Sequence, residues 1–154
     1  MARFNFSKGE TEYVIYVDLR KFLEKHIPCY TKETLHVDRV INIIDESCPE
    51  YICLDKLAIK IERGEKTVMR IIKKAFGIKY KQLIVAFRIY CALRLLYKAE
   101  LDITYVSISL SYSDVSSMDR DFQKVLGVPP IKAIEELKDS DPDIIFNKYY
   151  RFKN

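Results

Sequence analysis

The chain has 154 residues, 49% hydrophobic and 31% charged, enough to build one core-bearing domain, alone or with an extension. No apolar run approaches the ~20 residues of a membrane span, and the start, Met-Ala-Arg-Phe-Asn-Phe-Ser-Lys-Gly-Glu, lacks the layout of a signal peptide, so a soluble cytoplasmic protein is expected. The net charge of +4 is uneven: residues 54–100 hold 12 Lys/Arg against 4 Asp/Glu, a net of +8, whereas residues 1–53 and 101–154 each net −2. Such a concentration suits a phosphate-binding face, although a solvated basic surface has the same composition.

Residues 1–33 read as an N-terminal extension. Within it Tyr13 to Leu23 begins with β-like residues and finishes in a mixed pattern, a short strand or helix that Pro28 ends. The segment is expected to pack on the domain or to mediate dimer contacts. Thr34 is then placed to cap a helix whose apolar positions are Val37, Val40, Ile41 and Ile44. Two further stripes follow, Leu54, Leu57, Ala58 and Ile61, then Val68, Ile71, Ile72 and Phe76, separated at Gly64 and closed by Gly77. From Tyr80 to Lys98 the chain is apolar nearly all round, with Arg88 and Arg94 the only interior charges. That pattern predicts a helix buried between other elements. Ile103, Val106, Ser107 and Leu110 form the next stripe. A break at Ser111-Tyr112-Ser113 follows, with Ser113 the expected N-cap, and then Met118, Phe122, Val125 and Leu126 before Gly127 and Pro129-Pro130. Ile131 to Leu137 is a terminal helix, and the tail 139–154 mixes aromatic and basic residues in a way that favours packing on the domain over contact with a partner.

The pattern over 54–77 is repeated over 103–127. Leu57-Ala58, Ile61, Val68, Ile72, Lys73-Lys74 and Gly77 correspond to Val106-Ser107, Leu110, Met118, Phe122, Gln123-Lys124 and Gly127. The offset is 49 up to Leu110 and 50 afterwards, so the second copy gains one residue in its turn. Two short helix pairs in tandem predict two helix-turn-helix modules, 54–76 and 103–126, joined by the helix 80–98. The alternative is a pair of ordinary helical hairpins with no role at DNA. The linker's nineteen residues span roughly 28 Å at 1.5 Å each, close to the ~34 Å between successive major-groove faces of B-DNA.

Residues 34–138 resemble the DNA-binding domain of the AraC/XylS family of transcription regulators. The resemblance rests on Leu54-x-x-Leu57-Ala58, Lys73-Lys74-x-x-Gly77, Arg88-x-x-x-Ala92-x-x-Leu95-Leu96 and Phe122-x-x-x-x-Gly127-Val128-x-Pro130, in order and in spacing. It implies an all-α, homeodomain-like fold of about seven helices. It also implies sequence-specific binding of double-stranded DNA through adjacent major grooves, with activation of transcription expected over repression and RNA polymerase a candidate second partner. Three positions depart from the family pattern: Gly64 stands for its N-cap Ser, Ser107 for its Ala, and Ser111-Tyr112 for its Gly-Phe turn. Ser111 in this tight turn is therefore expected to show either an altered φ or modest strain, because only Gly takes positive φ freely.

The family's base-contacting positions fall on Lys66, Met69 and Arg70. Arg70 suits guanine O6 and N7, and Met69 a thymine methyl. Thr67, Lys73 and Lys74 suit phosphates, which position rather than specify. In the second module the corresponding residues are Ser116, Ser117, Arg120 and Lys124. They stand beside Asp114, Asp119 and Asp121, which oppose a polyanion unless Asp119 accepts from a cytosine or Asp121 pairs with Arg120 or Lys124.

No catalytic residue, metal or cofactor is expected, and the chain is read as a non-enzyme. His26 and His36 have no partner at a catalytic spacing, and the four glycines never cluster into a phosphate loop. Cys29, Cys48, Cys53 and Cys91 show no zinc spacing, Cys91 reading as a buried apolar residue. Glu135-Glu136 and Asp139, Asp141 and Asp143 read as solvated surface. The short extension leaves no room for a separate sensor domain, so no small-molecule effector pocket and a monomer or weak dimer are expected. Two other readings stay open: an interaction protein of the same fold that modulates another regulator or polymerase, and a piece of a longer regulator.

Overall fold

The computed structural model describes residues 1–30, 35–48, 50–99 and 102–152. Among them the chain forms an antiparallel hairpin and nine helices. Strands β1 (Ala2–Lys8) and β2 (Thr11–Val17) pair from Ala2 opposite Val17 to Lys8 opposite Thr11. The two-residue turn between them puts Gly9 first at φ +63, the position where a tight hairpin turn needs positive φ. Ala2, Phe4 and Phe6 are buried while Arg3, Asn5 and Ser7 are exposed, so β1 lays one pleated face on the helices.

Helix α1 (Leu19–His26) follows at once, capped by Asp18, whose carboxylate accepts from the Arg20 and Lys21 amides. The segment Tyr13–Leu23 is thus both strand and helix, switching at Asp18. Helix α2 (Leu35–Ser47) buries Val37, Val40, Ile41 and Ile44 as expected; the expected cap Thr34 lies outside the described residues. Then come α3 (Leu54–Ile61), α4 (Glu65–Phe76), α5 (Tyr80–Ala99), α6 (Ile103–Ser109), α7 (Val115–Leu126), α8 (Pro130–Leu137) and α9 (Pro142–Tyr149). The seven expected helices are α2 to α8; α1 and α9 are additional and lie in the terminal segments.

Helix α5 is the axis of the core. Ala86, Ile89, Ala92, Leu93 and Leu95 are wholly buried, and the helix touches β2, α4, α6, α7, α8 and α9. The terminal segments close over it with an aromatic cluster. Phe22 of α1 meets Phe87 at 5.3 Å, Tyr90 at 5.0 Å and Phe146 of α9 at 5.3 Å, ring centre to ring centre. The tail packs on the domain through Ile145, Phe146 and Tyr150, all buried.

Candidate nucleic-acid interface

The two modules place their second helices by the same device. α3 ends at Glu62, φ +60, and α6 gives way at Ser111, φ +64; the two residues are 49 apart, the offset of the repeat. A left-handed residue turns the chain sharply after the first helix, and neither position carries the glycine that adopts this conformation freely. Of the two alternatives expected at Ser111, φ is not altered: the serine keeps the positive φ that glycine takes freely, the strained alternative. Gly77 and Gly127 close α4 and α7 at φ +74 and +72.

The helix starts differ. Gly64 occupies the cap of α4 without a side-chain hydrogen bond. In α7 the cap is Asp114 rather than the expected Ser113, its carboxylate accepting from the Ser117 amide at 2.7 Å. Ser113 lies one residue too early and exchanges only a hydroxyl contact of 3.2 Å with Ser117. The Ser117 hydrogen bonds hold the Asp114 carboxyl below its ordinary range. A carboxylate here also meets the positive end of the helix dipole.

α4 buries Val68, Ile72, Ala75 and Phe76 against the core. Its outer stripe carries Lys66, Met69, Arg70, Lys73 and Lys74, all exposed, with Thr67 half-buried. Met69 is 50% exposed, a large apolar side chain held in water. The Lys66, Arg70 and Lys74 side chains make no hydrogen bond or ion pair among the described residues. Lys73 differs: its ammonium donates to the Gly77 carbonyl at 2.9 Å, satisfying the C-terminus of its own helix.

α7 is more committed. Ser116, Arg120 and Lys124 are exposed, whereas Ser117 and Asp119 are half-buried. Arg120 donates to the Ser117 hydroxyl at 3.2 Å. Contrary to the expected pairing with Arg120 or Lys124, Asp121 pairs with neither among the described residues; it accepts from the Tyr112 hydroxyl at 2.7 Å. Tyr112 in turn lies under Arg88 of α5, whose guanidinium carbon is 3.9 Å from the ring centre and whose Nη2 donates to the Leu110 carbonyl at 2.6 Å. Burial and the Asp121 contact raise the Tyr112 phenol well above its usual range. Sequence reading placed Arg88 in a motif but gave it no partner, because its contacts lie 22 and 24 residues away.

A second polar network lies under the tail. His26 is only 4% exposed; its Nε2 meets Asp143 and its Nδ1 meets Asn147, both at 2.8 Å. Tyr90 donates to the same carboxylate at 2.8 Å. The Asp139, Asp141 and Asp143 run is therefore not merely solvated surface: Asp143 ties α9 to α1 and α5, and Asp141 caps α9. Glu136 likewise accepts from Lys148 at 2.7 Å.

The architecture is that of a paired helix-turn-helix protein, two modules on one linker helix. The sequence profile of the helix-turn-helix domain family matches residues 57–135, and the chain belongs to that family, in its AraC/XylS type. Three solved structures illustrate the fold. The C-terminal domain of AraT, a response regulator from Geobacillus stearothermophilus, is 23% identical with a TM-score of 0.63, over 68% of this chain and 88% of that one. The C-terminal domain of the two-component response regulator yesN from Fusobacterium nucleatum is 24% identical with a TM-score of 0.60, over 66% and 99%. The DNA-binding domain of AdpA, a global transcriptional factor solved in complex with a target DNA, is 18% identical with a TM-score of 0.60, over 67% and 92%. No curated protein matches the sequence significantly.

Proposed function

We propose that this chain is a sequence-specific, double-stranded DNA-binding regulator of transcription. It sets α4 and α7 into adjacent major grooves with α5 as the spacer. The observation that carries the reading is the outer stripe of α4: Lys66, Met69 and Arg70 project unpartnered from a helix in the +8 segment of the chain. Unpaired guanidinium and ammonium groups on the first half of a second helix are what base edges and phosphates require. The twenty residues of α5 span about 30 Å, within a few ångströms of one helical repeat of DNA. AdpA, similar in fold, is held on its target DNA, which supports the same use here.

The two modules are unequal in this reading. Lys66, Met69 and Arg70 read bases, and Thr67 and Lys74 meet phosphates. Ser116, Ser117, Arg120 and Lys124 add a weaker second contact, because Asp114 and Asp119 stand beside them. Activation through contact with RNA polymerase is the regulatory mode proposed, with the chain acting in the cytoplasm as a monomer or weak dimer. The test is selection of bound duplexes from a random pool, followed by titration at several salt concentrations. Enrichment of one motif with steep salt dependence supports the reading. Failure to retain any duplex at 50 mM salt would instead favour an interaction protein, the reading to which the acidic flank of α7 points.

A further inference from the structure

A cleft of about 630 Å³ lies where the start of α5, the flank of α7 and the end of the tail converge. Lys79, Lys81, Gln82 and Val85 form one wall, Asp121 and Lys124 another, and Arg151 and Phe152 the third. We propose that this cleft is a phosphate-binding site, distinct from the reading stripe of α4.

The argument is one of uncompensated charge. The side chains of Lys79, Lys81, Lys124 and Arg151 make no hydrogen bond or ion pair among the described residues. Among the described residues the only carboxylate on the walls is Asp121, and it already accepts from the Tyr112 hydroxyl. Four cations around one concavity repel one another, and an anion entering it relieves that repulsion. Two features shape the site. At the start of α5 the Lys79 amide donates to Gln82 Oε1 at 3.0 Å, which holds the backbone of the wall that carries Lys79 and Lys81. Arg151 is held in place: its amide donates to the Val125 carbonyl at 2.9 Å. Its Cδ passes 2.9 Å from where a Cβ on Gly127 would stand, so the absence of a side chain there makes room for it. The Arg151 guanidinium, exposed and unpaired among the described residues, offers a planar fork that matches two phosphate oxygens.

Val85 and the half-buried Phe152 supply an apolar wall. The volume falls within the range of small-molecule pockets. A phosphate carried on a planar body, as in a nucleotide, fits both halves of the cleft; a phosphodiester of a bound duplex offers the same charge without the body. The sequence leads to the expectation of no small-molecule effector pocket in this chain; the proposed site, formed between the DNA-binding domain and the tail, departs from it.

Calorimetric titration of the full chain with pyrophosphate and with ATP tests the free-phosphate source. Lys81→Gln and Arg151→Gln are each expected to weaken binding about tenfold, the loss of one charge-assisted contact. Lys138→Gln, the same charge change at the exposed residue that follows α8, leaves it unchanged, and thermal melts confirm that all three variants fold. If neither probe binds the wild type, the duplex arm decides. Lys81→Gln and Arg151→Gln must each lower the salt slope of duplex binding by about one, with Lys138→Gln unchanged, for the cleft to be a backbone-phosphate site. Equal effects in all three variants, or no binding in either arm, overturn the proposal. A chain that binds pyrophosphate but no duplex would keep the cleft and sink the DNA reading.

Discussion

Arg88 and Tyr112 are joined face to face, the guanidinium carbon 3.9 Å from the ring centre, and the same guanidinium donates to the carbonyl of Leu110. Between Leu110 and Tyr112 stands Ser111 at φ +64. The linker helix therefore braces the strained turn of the second module from both sides, and Asp121 holds the far end of the Tyr112 ring. Orientation of α7 depends on a residue of α5.

Arg88→Ala is accordingly expected to destabilise the fold by about 2–4 kcal/mol, combining a lost cation–π contact with a lost hydrogen bond from a charged donor. Arg88→Lys should recover less than half of this, since an ammonium cannot stack on the ring and reach Leu110 together. Urea denaturation of the two variants checks it; a loss below about 0.5 kcal/mol for Arg88→Ala would show that the brace is incidental.

Three cations of α4 should separate by role. Arg70→Ala is expected to lose roughly 1–3 kcal/mol of duplex affinity and to relax preference at one base pair. Lys74→Ala should weaken all sequences alike and lower the salt slope by about one. Lys73→Ala should change the slope little and instead cost stability, about 0.3–1 kcal/mol, because its ammonium serves the Gly77 carbonyl. Binding titrations at four salt concentrations, with melts in parallel, distinguish the three; a full unit of slope lost at Lys73 would refute the capping role.

Asp143 gives the fold an acid limit. Burial alone would raise its carboxyl, but the hydrogen bonds from His26 and Tyr90 and the charges of Lys25 and His26 outweigh burial, leaving it below the ordinary value of 3.8. A depressed carboxyl stabilises the fold above its unfolded value and loses that contribution as pH falls through the folded one. Stability is thus expected to drop below about pH 4. Asp143→Asn should be less stable at neutral pH and show a shallower acid decline. Denaturant midpoints from pH 7 to pH 2.5 check this, and parallel curves for wild type and variant would count against it.

Gly64 offers a gain. Its φ of −66 and ψ of 153 suit any residue, and a Cβ there meets nothing within 4 Å. Gly64→Ser should cap α4 and stiffen the unfolded chain, adding about 0.5–1 kcal/mol. A melting temperature that stays level or falls would mean the serine fails to reach the amides of the first turn.

The core of both modules was legible because it obeys a short local period. Ile72 and Phe122, equivalent in the repeat, are both wholly buried, and Leu57, Ile61, Val68 and Met118 follow. The extra residue of the second turn was visible as the change of offset from 49 to 50, and it falls between Ser111 and Asp114. Strand β1 carries a legible signal, the alternation of Ala2, Phe4 and Phe6 with Arg3, Asn5 and Ser7, in a segment too short for period alone to separate from a loop. What periodicity could not reveal was pairing at a distance: Arg88 with Tyr112, His26 with Asp143 117 residues on, and Asp121 turned to Tyr112 rather than to its neighbours. Ser113 and Asp114 are adjacent and both good caps, so only the backbone decided between them. Of the site, the exposed stripe of α4 follows from the helical period, while the employment of Lys73 and Arg120 required side-chain positions.

Because α5 is covered by elements of both modules, neither module owns a complete interior. A chain ended after Ala99 would bare the α5 surfaces that α6, α7 and α8 cover; a chain begun at Asp102 would strip α6, α7 and α8 of the helix they pack against. The duplicated sequence thus describes two halves of a single cooperative unit. Severing it should yield insoluble pieces rather than two smaller binders, and heat should melt both heads in one transition.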